Sequence, residues 1–228
     1  MPLKILFQNS EIVFVDKPSG FHVHPPEDSR HKIPQGKSCL HLLRDQLGQW
    51  VYPFHRLDGA TSGALGFALS SEAAAKWSLL WRTPEVTKTY LCVVRGRMSE
   101  KVTIDYPLKS LETGELKDCV SVFDPLASIE LPFAVGRYPT SRYSLVKVQI
   151  ETGRQHQIRR HAAHISHPLI GDTIYGDGKH NRFFRSQFNQ SELYLRSWKI
   201  ETPEFSVTAP WKSRWHQCFD LFGLCAFR

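Results

Sequence analysis

The chain has 228 residues, 41% hydrophobic and 22% charged, which is the balance of a globular protein long enough to bury a substantial core. No apolar stretch is long enough to span a bilayer, and the opening Met1 to Gln8 is too short and too soon polar for a signal peptide, so a cytoplasmic location is expected. A net charge of +7 suits a polyanionic partner, since each neutralised phosphate releases a counterion, and five cysteines with no CxxC pair exclude a disulfide framework and a zinc ribbon.

In chain order, Ile5 to Phe7 and Ile12 to Lys17 read as a strand pair around the turn Gln8 to Ser10. Pro18, Gly20, Pro25 and Pro26 predict irregular structure to about Gln35. Leu40, Leu43 and Leu47 give helical spacing to Cys39–Leu47, with Ser38 as cap and Gly48 as stop. The apolar run Ala64 to Leu69 predicts a buried strand, and Ser70, Ser71 and Glu72 open a helix reaching Trp81. Strands are expected at 87–95, 102–107, 143–150 and 193–200, and a last helix near 211–223. Residues 110–142, carrying Gly114, Pro125, Pro132 and Pro139, read as loop-rich with a weak strand near Val120 to Phe123. There is no repeat, low-complexity tract or long linker. The pattern predicts an α+β fold with a largely antiparallel sheet.

Two segments carry candidate chemistry. His55-Arg56-Leu57-Asp58-Gly59-Ala60-Thr61-Ser62-Gly63 sets one carboxylate in a glycine-bearing turn ahead of the buried strand. Asp58 is there either a turn former or a nucleophile held rigidly at the strand mouth. The second segment, Thr152 to His161 continuing through His164 and His167, places three arginines and four histidines within fourteen residues. Lys88-Thr89-Tyr90 opens another apolar run between them. A tyrosine in such a strand is ordinarily core. The histidines at 156, 161, 164 and 167 raise a metal site, but there is no HExxH and no cysteine ligand. Arg154, Arg159 and Arg160 would repel a dication. Helix packing or phosphate contact is expected instead, with no metal. Neither GxGxxG nor GxxxxGK[ST] occurs, so no nucleotide cofactor is expected.

These segments, in this order, resemble the RluA family of pseudouridine synthases: HRLDxxTSG at 55–63, KxY at 88–90 and TGRxHQIRxH at 152–161. Asp16 to Gly20 and His24-Pro25 are similar to that family's N-terminal KPSG and VHP elements. The resemblance implies the pseudouridine synthase catalytic fold, a mixed and largely antiparallel sheet flanked by helices and loops. It implies a single catalytic domain over 1–228 with no S4-like RNA-binding domain. The implied activity is cofactor-free isomerisation of uridine in RNA: the C1′–N1 bond breaks, the base turns, and it rejoins through C5. Asp58 would then act at C1′ directly or take the C2′ proton, and Arg159 would pair with Asp58 and keep it charged. Tyr90 would stack on the base, or assist loss of the C5 proton, although an unperturbed phenol is a poor base near neutrality. Arg56 would fill the space left by a flipped nucleotide. Ile158 would press on the uracil, and Arg154 and Lys88 would contact RNA, Lys88 alternatively a nearby carboxylate.

Gly136 to Tyr143, Asp45 to Gln49, Leu69 to Ala73 and Gly178 to Arg182 resemble the TruC-like, tRNA-directed branch, which acts at uridine 65 in the acceptor-stem region. The partner implied is tRNA, with no obligatory protein partner and a monomeric enzyme. Leu195-Arg196-Ser197 stands where the family has Leu-His-Ala, and the segment after it, Glu201 to Phe205, is abbreviated; both bear on substrate choice. An rRNA synthase of the same fold, a basic RNA binder without catalysis and, more remotely, a metal hydrolase are the alternatives.

Overall fold

A computed structural model describes residues 2–24 and 36–224; the rest of the expected irregular stretch, including Pro25 and Pro26, lies outside the described residues, as does Cys225. The chain forms two compact units, Met1–Lys88 with Arg196–Ala209, and Thr89–Leu195 with Pro210–Arg228. Its elements begin with β1 (Lys4–Gln8), β2 (Ile12–Lys17), α1 (Cys39–Leu47), β3 (Tyr52–Pro53), β4 (Ser62–Ala68) and α2 (Ser71–Leu80). There follow β5 (Thr87–Arg95), β6 (Val102–Asp105), β7 (Leu108–Lys109), β8 (Leu116–Lys117), β9 (Val120–Leu131) and β10 (Ser141–Ile150). The last are α3 (Gln157–His164), α4 (Gly178–Phe188), β11 (Leu195–Glu201), β12 (Ser206–Thr208) and α5 (Ser213–Leu221).

In the first unit the strand order is β1-β2-β4-β11, with β3 on β4 and β12 on β11. β4 runs antiparallel to β2 and parallel to β11, where Arg196 and Ser197 face Ser62 and Gly63. Every residue of β4 is buried, as expected for a strand covered on both faces. The core packs Phe14, Phe54, Ala64 and Ile200 against Trp77 of α2. Both predicted helices form with the expected caps. Ser38 accepts from the His41 N–H and Gly48 closes α1 in the left-handed region, while Ser70 accepts from the Ala73 N–H at 3.1 Å.

The second unit has strand order β5-β10-β9-β6 and a separate β7–β8 hairpin. Its core gathers Leu91, Val93, Tyr143 and Leu145 of the strands with Trp215 and Phe219 of α5. Three expectations are corrected here. The weak strand near Val120 is the first part of a twelve-residue strand, β9, paired along its length with β10. Pro125 is tolerated because the register skips beside it: Leu145 faces Ala127 and Val146 faces Pro125, so Leu126 is the extra residue of a bulge. Helix α4, which the apolar pattern did not predict, is nucleated by Asp177, whose carboxylate accepts from the Lys179 and His180 N–H groups. The strand expected to reach residue 107 ends at Asp105.

Gly63 is the tightest point of the first unit. Its φ is +114°, and a Cβ there would lie 2.1 Å from the Ser197 carbonyl oxygen. Gly63→Ala is expected to destabilise the protein by roughly 2–4 kcal/mol, since neither the dihedral nor the main-chain neighbour can yield. Urea midpoints of the two proteins read this directly, and a loss below about 1 kcal/mol would contradict the close approach.

Candidate active site

The carboxylate of the first unit sits in a turn closed by the Thr61 N–H donating to the Asp58 carbonyl at 3.0 Å. The next three carbonyls of that turn are each bound by the segment 17–20. Lys17 Nζ donates to Gly59 at 2.9 Å and to Thr61 at 2.7 Å, Ser19 Oγ donates to Ala60 at 2.9 Å, and the Gly20 N–H donates to Gly59 at 2.8 Å. Lys17 is wholly buried. Its ammonium takes carbonyl oxygens in place of water, as a buried cation must. Beyond the turn, Arg196 ties two strands together, Nη1 to Ser62 Oγ at 3.2 Å and Nη2 to Asp16 Oδ1 at 2.9 Å, with both charged side chains inside the protein. The turn is thus fixed at both ends, and Asp58 within it is half-buried.

Arg56 is exposed. His55 is buried; its Nε2 accepts from the Gly66 N–H at 2.8 Å and its ring stacks on Trp81 at 3.9 Å. Burial, with the nearby Lys88 charge, pushes its pKa down to about 3. Lys88 corrects an expectation. It is 5% exposed and its ammonium donates to the Trp81 carbonyl at 2.9 Å, so it is not presented to a polyanion. Burial pulls its pKa below the usual lysine range.

The second unit carries Tyr90, Arg154, Ile158 and Arg159. Tyr90 is buried on β5. The Thr152–His156 turn is held by one side chain. Gln157 Oε1 accepts from Thr152 Oγ1 at 2.8 Å and from the Arg154 N–H at 3.0 Å, while its Nε2 donates to the Val120 carbonyl and to Ser121 Oγ on β9, both at 2.9 Å. His156, left-handed at φ 56°, then starts α3 without a side-chain cap. Ile158 and Arg159 follow on the buried side, and Arg154 is exposed.

Arg159 meets Asp172 side-on, Nε to Oδ2 at 2.7 Å and Nη2 to Oδ1 at 2.9 Å, with both side chains buried. Asp172 is itself fixed by the Ile174 and Tyr175 N–H groups, at 2.9 and 3.0 Å. Burial alone would raise its pKa; the Arg159 bonds and these N–H donors outweigh it and hold the carboxyl below its ordinary range. Asn181 of α4 donates to the Asp172 carbonyl at 2.7 Å and accepts from the Gly171 N–H. Sequence reasoning assigned Asp172 no role, although one signal was there: it is the first acidic residue after Glu151, beyond the whole cationic stretch.

The four histidines do packing work. His161 Nε2 faces the Tyr106 carbonyl at 3.0 Å and so carries the proton, leaving Nδ1 to Ser121 Oγ at 3.0 Å. His164 stacks on Tyr106, His167 Nδ1 meets the Arg95 carbonyl at 2.8 Å, and His156 meets the Tyr175 hydroxyl at 3.1 Å. Among the described residues no three His, Cys, Asp or Glu side chains are grouped to hold a metal ion.

Residues 11–164, covering the Asp58 turn, the Tyr90 strand and α3, match the RNA pseudouridylate synthase family. The chain belongs to that family. It is an RNA pseudouridine synthase, an isomerase. Several proteins named tRNA pseudouridine synthase C are similar to it, two of them along nearly their full length. That of Vibrio vulnificus is 38% identical, covering 96% of this chain and 95% of its own. That of Haemophilus influenzae is 40% identical, covering 97% and 98%. Among solved structures, human RNA Pseudouridylate Synthase Domain Containing 4 shares the fold, with a TM-score of 0.73 at 18% identity over 96% of this chain and 93% of its own. Human RNA Pseudouridylate Synthase Domain Containing 1 does so with a TM-score of 0.69 at 23% identity, over 90% and 81%.

Two outcomes are expected of the synthase. Asp172→Ala removes the carboxylate that holds the buried Arg159 guanidinium by two bonds, and should cost about 3–5 kcal/mol in urea unfolding; a change under about 1 kcal/mol would deny the pair its structural role. The second concerns acid. Folded His55 stays neutral down to about pH 3, whereas the unfolded residue binds a proton near pH 6.5. Stability is therefore full above pH 6.5 and falls as the pH drops toward 3, by roughly 1.4 kcal/mol per pH unit from this group. His55→Gln, which keeps an acceptor for Gly66, should flatten the pH dependence of unfolding between pH 6.5 and 4.5 by one proton, and an unchanged slope would refute the assignment.

Proposed function

We propose that this synthase converts uridine to pseudouridine in tRNA, at uridine 65 of the acceptor-stem region, with Asp58 as the catalytic carboxylate. The observation that carries the tRNA reading is the similarity, at 38% and 40% identity along nearly the whole chain, to proteins named tRNA pseudouridine synthase C. The two units act in this reading as one catalytic domain, which the run of the family match through both of them supports.

The reaction is an isomerisation: the C1′–N1 bond breaks, the C1′–C5 bond forms, C5 loses its proton and N1 gains one. No electrons and no phosphate enter or leave, so the chemistry asks for no cofactor. A target base stacked in a helix hides C1′ and C5, and flipping it out costs a few kcal/mol. Exposed Arg56 takes the vacated place and exposed Arg154 a phosphate. Tyr90 and Ile158 supply flat and apolar surface to the uracil. Asp58 acts on the ribose, by adding to C1′ or by taking the C2′ proton. A half-buried carboxylate needs compensating charge to stay ionised, and Arg159 supplies it. Its side-on bond to Asp172 uses Nε and Nη2, which turns Nη1 away from that partner. Lys88, buried and bonded to Trp81, is given no RNA contact. The enzyme works as a cytoplasmic monomer with no obligatory protein partner.

Tritium release from tRNA and rRNA transcripts labelled at uridine C5 tests the reading. Release is expected from tRNA and from the uridine 65 position within it, and Asp58→Asn should lower it by on the order of 10³ or more while RNA binding survives. Release from rRNA alone would overturn the substrate, and appreciable turnover by Asp58→Asn would overturn the carboxylate.

A further inference from the structure

Two segments of the second unit that the catalytic reading leaves unused come together in the fold. The β9–β10 connection carries Arg137 and Tyr138, and α4 carries Lys179, Arg182 and Arg185. The connection packs on the helix: Phe133 and Phe183 have ring centroids 5.6 Å apart, and a Cβ on Gly136 would lie 3.9 Å from Lys179 Nζ. Tyr143 anchors the helix start from below through a 2.9 Å bond to His180 Nδ1. Lys179, Arg182 and Arg185 recur every third residue and are all exposed, so they line one face of α4. The opposite face buries Phe184.

Charge on this surface is not balanced locally. Residues 132–142 and 178–191 contain no Asp or Glu. The flanking carboxylates are committed elsewhere: Asp177 to Arg95 at 2.6 Å, Glu130 to Arg142 at 3.0 Å and Glu192 to Arg214 at 2.6 Å. Among the described residues no salt bridge neutralises Arg137, Lys179, Arg182 or Arg185. Arg137 lies over the Tyr138 ring, 4.9 Å from its centroid, and donates to its hydroxyl at 2.8 Å, which holds an exposed aromatic ring in place beside the cations.

We propose that this face of α4, with Arg137 and Tyr138 beside it, docks the phosphate backbone of a folded arm of the substrate RNA. It rests on the RNA substrate of the proposed function and adds an anchoring point outside the Asp58 turn. The interaction is electrostatic and indifferent to base sequence, because cations on a helix face meet phosphates without reaching base edges. It reads the presence of a folded arm, and the target uridine is read elsewhere.

The test is a titration of full-length protein with folded tRNA transcript at several salt concentrations. Lys179→Gln/Arg182→Gln/Arg185→Gln is compared with a charge-matched control at the exposed residues Lys4, Arg82 and Lys101, each changed to Gln. The α4 variant should bind about tenfold more weakly, and the slope of log K against log salt should fall by roughly two to three, near 0.9 for each phosphate that the variant no longer neutralises. The control should keep the wild-type slope, and Arg182→Lys/Arg185→Lys should keep it as well. An unchanged slope in the α4 variant, or an equal drop in the control, would overturn the surface. If wild-type protein releases tritium only from rRNA, the tRNA reading fails separately, and the same titration on that rRNA decides the surface by the same slope.

Discussion

A lysine ammonium buried out of reach of bulk solvent organises the first unit. Lys17 cannot be solvated from outside, so its ammonium must collect oxygen atoms from the chain, and the Pro18, Gly59 and Thr61 carbonyls supply them. That requirement shapes the Asp58 turn. A turn whose carbonyls point inward to a fixed charge cannot relax outward, and Ser19 and Gly20 remove the remaining slack by binding Ala60 and Gly59. Asp58 therefore stands on a rigid support made by a segment some forty residues earlier in the chain. Rigidity of this kind is what a group acting on one ribose carbon needs, since small misplacements weaken such chemistry steeply.

The same logic recurs in the second unit with different chemistry. Gln157 uses both ends of its amide to join the Thr152 turn to β9, and Asp172 uses both oxygens to hold Arg159. In each case one polar side chain, fully engaged, substitutes for regular main-chain pairing at the place where α3 begins. This also accounts for the histidines. A run of four of them beside three arginines looks like a binding cluster as a string of letters. In the fold each ring meets a hydroxyl, a main-chain carbonyl or a stacked tyrosine, and burial depresses the His161 pKa.

What the sequence discloses follows from how local each signal is. Ser38, Gly48 and Ser70 announce α1 and α2 because capping acts over three or four residues, and the apolar run at 64–69 announces β4 because a strand covered on both faces has no polar alternation to blur. Non-local signals were lost. Pro125 argued against a strand until β10 supplied a partner with a bulge to receive it. Helix α4 has an amphipathic face made chiefly of phenylalanines and arginines, and its start depends on Asp177 being shared with Arg95, eighty-two residues away. Asp58, Tyr90 and Arg159 stand out in the sequence because their motifs are contiguous. Lys88 belongs to the same KxY motif, yet only packing decides that its ammonium goes to the Trp81 carbonyl. Nothing in the spacing distinguishes a lysine facing inward from one facing RNA.

Arg196 shows how a buried charge is absorbed by its neighbours. Its guanidinium brings a permanent charge and several donors into a fully buried site. Such a residue is tolerated when a carboxylate lies within reach and a further acceptor takes another of its donors. Asp16, on the neighbouring side of β4, provides the first at 2.9 Å, and Ser62 Oγ the second at 3.2 Å. Both partners flank the Asp58 turn: Asp16 precedes Lys17, and Ser62 follows Thr61, the two residues joined by the shortest bond of the Lys17 cradle. Arg196 thus ties together, from inside the protein, the strands that frame Asp58. Its consequence lies in how firmly the strands on either side of that turn are held.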